Sequence, residues 1–116
     1  MKLFQINPEK AHQVERFGSQ GFGLTHLSAG EARLSHATLA PGGRIGRHPA
    51  TQEQLLLVVE GGGQVNGRDG IFHPIKLGQA ALWQPGEEHE TRTEVGMTLL
   101  LFEGDLTQIG EQLEQI

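Results

Sequence analysis

Turns set the limits on what this chain can fold into. Seventeen of its 116 residues are glycine and five are proline, and they are spread along the sequence rather than massed. Glycine loses the most backbone freedom on ordering, and proline has no N–H to give to a ladder, so both end regular elements. The segments left between them are strand-length, recurring about every 8–12 residues, which points to an all-β sandwich or barrel rather than a helix bundle.

Taken in order, residues 2–6 read as a short strand. Asn7-Pro8-Glu9-Lys10 reads as a helical turn capped by Asn7, with a plain β-turn as the alternative. Gly18, Gly21 and Gly23 allow only short, bent strands across residues 14–27, and Ser28-Ala29-Gly30-Glu31 is a turn. Residues 32–39 form a strand that stops at Pro41-Gly42-Gly43. Leu55-Leu56-Leu57-Val58-Val59 is an unbroken apolar run, too short for a typical helix, and predicts a strand buried on both faces. One face would look into the barrel, and the other would need cover from a second sheet or another subunit. Glu60-Gly61-Gly62-Gly63 is expected to turn the chain into Gln64-Val65-Asn66. Gly67-Arg68-Asp69-Gly70 carries the Asp-Gly hairpin signal, and residues 71–76 return from it. Further strands are expected over 80–83, 88–93 and 97–103, with a turn at Pro85-Gly86. The tail changes period, since Leu106, Ile109, Leu113 and Ile116 share one helical face. Asp105 stands as its N-cap with Gln108 three positions on. Gly110 costs about 1 kcal/mol in its middle, so the helical tail is short.

A chain of this length is expected to be one domain, residues 1–116, able to bury a core without staples. It has no cysteine, which removes disulfides, thiol nucleophiles and thiolate metal sites. No apolar run approaches the ~20 residues of a membrane span, so the sequence predicts a cytoplasmic protein that does not engage membrane. The net charge of -5, with no Lys/Arg cluster, argues against nucleic acid as a partner.

Two stretches place a histidine just beyond a Gly/Pro turn and beside an apolar run: Gly42 to Gly61, with His48, and Gly78 to Thr93, with His89. Together they resemble the two motifs of the cupin family. Gly42, His48, Ala50, Gln54 and Gly61 fall on the positions of the first motif, G(X)5HXH(X)3,4E(X)6G. Gly78, Gln84, Gly86, His89 and Thr93 fall on those of the second, G(X)5PXG(X)2H(X)3N. More narrowly, the segments around His48, Gln54–Val59 and Trp83–Glu90 look like a group of small bacterial cupins. The resemblance implies a jelly-roll β-barrel with a pocket lined by the motif residues, and a homodimer, which would also cover the outer face of residues 55–59.

Metal-binding cupins hold a divalent ion with two His and one Glu from the first motif and a His from the second. This chain keeps His48 and His89 but has Ala50 and Gln54 at the other two positions. A methyl group donates nothing, and an amide oxygen is a weak neutral donor. His36 and His73 are candidate replacement ligands if their strands turn them inward. Glu53 and Glu90 lie one residue from ligand positions and are expected to face away, because strand side chains alternate. Two readings therefore stand. One is a small-molecule-binding protein using His48, Gln54 and His89 as polar anchors for a polar or weakly anionic ligand. The other is a metal-dependent enzyme of dioxygenase or isomerase type, holding Fe, Ni, Mn, Cu or Zn with a reduced ligand set. Trp83 is expected in the core, and Arg44, Arg47, Glu87 and Glu88 as solvated charges.

Overall fold

A computed structural model of the chain describes residues 1–27 and 30–116, so the turn expected at Ser28-Ala29-Gly30-Glu31 lies in part outside the described residues. Eleven strands are present among them: β1 (Lys2–Gln5), β2 (His12–Gln13), β3 (Gly23–Leu24), β4 (Ala32–Leu39), β5 (Arg44–Pro49), β6 (Glu53–Asn66), β7 (His73–Lys76), β8 (Gln79–Trp83), β9 (Glu88–Arg92), β10 (Met97–Gly104) and β11 (Glu114–Gln115). One helical turn, α1, covers Ile109–Gln112. A 3-10 turn at Pro8–Lys10 is capped by the Asn7 side chain, which accepts from the Glu9 N–H at 3.0 Å. No helix among the described residues is long and apolar enough to cross a membrane.

β6 is the shared strand of two sheets. Its first half pairs antiparallel with β8 and β10, within the order β11-β1-β8-β6-β10-β4. Its second half pairs with β7 and β9, and β9 in turn pairs with β5. The expected turn at Glu60–Gly63 is therefore not a turn. The chain runs through it as one 14-residue strand that changes sheet there. Gly61 takes φ +74°, and a Cβ on it would meet the Gly96 carbonyl oxygen; at Gly63 a Cβ would meet that of Arg92. Glycine lets the neighbouring backbones close on β6 from both sides, so these residues bend a strand instead of ending one.

Alternation along β6 sorts the core into two clusters. Leu56 and Val58 point inward with Ala50, Val65, Ile75, Ala81, Trp83, Met97 and Leu99. Leu55 and Leu57 point outward and pack with Phe4, Ala80, Leu82, Leu106, Ile109 and Leu113. The chain's own tail thus covers the outer face, and that face gives no reason for a second subunit. The tail does so with less helix than its period suggested. Leu106, Ile109 and Leu113 are buried, but Ile116 is 53% exposed, because the chain turns extended at Leu113 and β11 pairs with β1. The N-cap of α1 is Gln108; Asp105 instead binds the N–H and hydroxyl of Thr107.

Candidate functional site

β5 and β9 carry the two motif histidines opposite each other, His48 against His89. Their ring centroids are 4.5 Å apart at a tilt of 53°. Each ring is held by a carbonyl two residues back: His48 Nδ1 lies 2.7 Å from the Gly46 oxygen, and His89 Nδ1 lies 2.9 Å from the Glu87 oxygen. A carbonyl oxygen only accepts, so we assign a proton to each Nδ1, which leaves the Nε2 of a neutral ring as a lone pair.

His89 is 2% exposed. Trp83 stacks on it at 4.2 Å and 21°, and the indole Nε1 donates to the Asn66 carbonyl at 3.0 Å. His89 Nε2 is buried with no hydrogen-bond partner. Burial lowers the His89 pKa below its ordinary value, and the neighbouring His48 and Arg47 push it the same way, against the opposing pull of Glu87. The ring is therefore neutral near neutral pH, with one acceptor unfilled. His48 is exposed and stands on the solvent side of the pair.

Gln54 is 7% exposed and lies opposite Trp83, on the inward face shared with Leu56 and Val58. Ala50 packs in the inner cluster. Its N–H donates to the Glu87 carbonyl at 3.0 Å and its own carbonyl accepts from Gly86 at 2.7 Å. The Glu87 carbonyl thus ties the first motif to His89.

The two proposed replacement ligands are not brought to this place. His36 pairs with Leu100, which packs against the outer cluster, so His36 faces outward. His73 is exposed on β7, in a groove with Leu3, Ile75 and Ile116. Among the described residues no three His, Cys, Asp or Glu side chains gather as a metal site. Two oriented imidazoles and one amide do not fit the family's four-ligand ion site.

Glu53 and Glu90 do face away, accepting from the Leu106 N–H (3.4 Å) and Asn66 Nδ2 (2.8 Å) respectively. Arg47 is not free solvated charge. Its guanidinium donates to the carbonyls of Gly67 (3.2 Å) and Arg68 (3.1 Å) and to Asn66 Oδ1 (3.4 Å), and it pairs with Glu88 (3.5 Å) and Glu90 (3.9 Å). It fastens β5 to the 67–70 hairpin. Glu87 also departs from expectation, being 5% exposed. Burial alone would raise its pKa, but the Met1 ammonium at 2.6 Å and the N–H groups of Gln84 and Arg68 outweigh that and lower it. Sequence reasoning missed Asn66, which is fully buried and bonds Glu90, Gly70 and Arg47. The signal for it was a polar side chain closing a strand just before a Gly-x-x-Gly hairpin.

A family model described as a cupin domain matches residues 35–102. No curated protein matches the chain. Among solved structures, a predicted oxalate decarboxylase of Thermotoga maritima is 25% identical with a TM-score of 0.56, over 61% of this chain and 64% of that one. A protein of Neisseria meningitidis is 27% identical with a TM-score of 0.55, over 64% and 73%. A conserved barrel domain protein of Salinispora arenicola is 18% identical with a TM-score of 0.58, over 69% and 68%, a likeness of fold alone. With the family model spanning more than half of the chain and both motifs facing each other across β5 and β9, the chain belongs to the cupin family.

Proposed function

We propose that this protein binds a small polar molecule at the His48–His89 pair, with Gln54 as a third anchor. The observation that supports it is the buried, unpartnered Nε2 of His89. A buried acceptor without a donor is costly, and such atoms in native structures call for an explanation such as a bound group. The buried Nε2 of His89 offers a lone pair, and the Arg47 guanidinium is engaged by backbone carbonyls and carboxylates. The ligand is therefore a hydrogen-bond donor, a hydroxyl or amine compound, rather than the weakly anionic molecule that the sequence also admitted. The interior beside the pair is filled by Trp83, so the ligand enters from the His48 side.

A second reading is a metal-dependent enzyme of dioxygenase or isomerase type with a reduced ligand set. The observation in its favour is the pair of Nδ1–H bonds to backbone carbonyls, the outer-shell support that orients ligating imidazoles. Elemental analysis of protein purified without chelator or metal resin separates the two. Near one equivalent of Fe, Ni, Mn, Cu or Zn per chain would replace the first reading with the second. With no metal, a thermal-shift screen of neutral polyols and amines should find stabilising compounds. Their effect should vanish in His48→Ala, whose exposed ring is dispensable to the core, and in His89→Ala. Stabilisation that survives both substitutions would refute the site.

A further inference from the structure

One row of side chains crosses the larger sheet from the core to an open edge. Trp83 on β8, Gln54 on β6, Glu103 on β10 and Arg33 on β4 are successive cross-strand partners, so all four belong to the same face. Trp83 marks that face as the interior, and two residues further along each strand Leu101 and Ala37 agree, packing toward the inner cluster. Cover is lost along the row. Trp83 is fully buried and Gln54 is 7% exposed, Glu103 is half-buried and Arg33 is exposed. The sheet ends at β4, whose partner is β10, and the inner face opens there. The opening is a hollow of about 620 Å³ lined by Glu31, Ala32, Arg33, Thr51, Gln52 and Glu103, within the ~300–1,000 Å³ of small-molecule sites.

The charges on its walls are unpaired. Arg33 and Glu103 stand directly opposite each other, where side chains on one face can meet, yet among the described residues no ion pair includes Arg33, Glu103 or Glu31. The Gln54 amide, next in the row, has no hydrogen-bond partner among them either, although the residue is nearly buried. An inward charge on an edge strand can serve to block edge pairing, which would account for Arg33. It does not account for Glu103, because β10 lies between β6 and β4 and has no free edge. We propose that the hollow binds a small diamino carboxylic acid. The Arg33 guanidinium takes its carboxylate through paired N–H donors, and Glu103 and Glu31 accept from its ammonium groups. Two carboxylates against one guanidinium give the walls an excess of negative charge, which a ligand with two ammonium groups and one carboxylate balances. Gln54, with a carbonyl oxygen and an NH2 group to offer, stands beside Glu103 at the inner end. The hollow adjoins the His48–His89 site through Gln54, but neither histidine is among its walls, so this inference goes beyond the reading above and does not depend on it.

Titration calorimetry with lysine and ornithine tests the assignment, with two truncated probes beside them. Cadaverine keeps both ammonium groups of lysine and lacks the carboxylate, and ε-aminocaproate keeps the carboxylate and one ammonium group. The wild-type chain should bind lysine or ornithine about tenfold or more tightly than either truncated probe. Arg33→Gln should erase the advantage over cadaverine, and Glu103→Gln the advantage over ε-aminocaproate. Both variants should keep the circular dichroism spectrum of the wild type, because neither side chain is part of the packed core. His48→Ala should leave the binding of lysine and ornithine unchanged, which separates this hollow from the histidine pair. Binding of neither diamino acid, equal binding of the truncated probes, an affinity that survives both Arg33→Gln and Glu103→Gln, or a loss on His48→Ala alone would each overturn the proposal.

Discussion

His89 sets a direction for the pH dependence of stability. Its folded pKa lies below the ordinary 6.5 because burial disfavours the imidazolium. Below about 6.5 the unfolded chain therefore binds a proton that the folded chain does not. The neutral ring's contribution is complete above that pH and is lost as pH falls through the folded pKa. Glu87 has the same sign in a lower window: its folded pKa is below 4.5, so its contribution is complete above 4.5 and is lost on further acidification. Unfolding can be followed through Trp83, the single tryptophan, which stacks on the ring concerned. The urea midpoint should fall between about pH 7.5 and pH 5, and His89→Gln should flatten that fall, since a neutral amide removes the titration. An equal fall in wild type and variant would assign the dependence to other groups.

At the scale of elements, the outer face of β6 and the tail are one unit. Leu113 is 1% exposed against Phe4, Leu55 and Leu57, while Ile116 is half-exposed. Leu113→Ala should cost about 2–4 kcal/mol by urea denaturation, and Ile116→Ala should stay within about 0.5 kcal/mol; similar costs would mean that both positions are loosely packed. The same comparison shows what the sequence could carry. Strands β4, β8 and β9 were legible because glycine and proline bracket them and each is decided locally. The fate of Glu60–Gly63 was not, because glycine marks both a turn and a close backbone approach. Only the Arg92 and Gly96 carbonyls, supplied by β9 and the loop that follows it, decide which it is. The tail's apolar spacing was right for three residues, yet an extended strand paired with β1 serves the fourth position better than a helix interrupted by Gly110. Motif spacing picked out His48 and His89, which β5 and β9 set opposite each other, and Gln54, which is buried. It could not give the direction of His36, which depends on the register of β4 against β10, nor the burial of Glu87, which depends on Met1 arriving from β1.

For the whole molecule, the topology implies an uneven distribution of stability. β6 is flanked by partners along both halves, with β8 and β10 on one half and β7 and β9 on the other, so its amides open only when both sheets do. β2 and β3 have only each other, and a lone two-stranded ribbon is marginal in water. Amide exchange should therefore be slowest along Leu55–Val58 and Val65, approaching the global unfolding free energy. The ribbon amides around Val14 and Leu24 should exchange quickly. Ribbon protection equal to that of β6 would mean that the ribbon folds as part of its own barrel, against the separate sheet seen here.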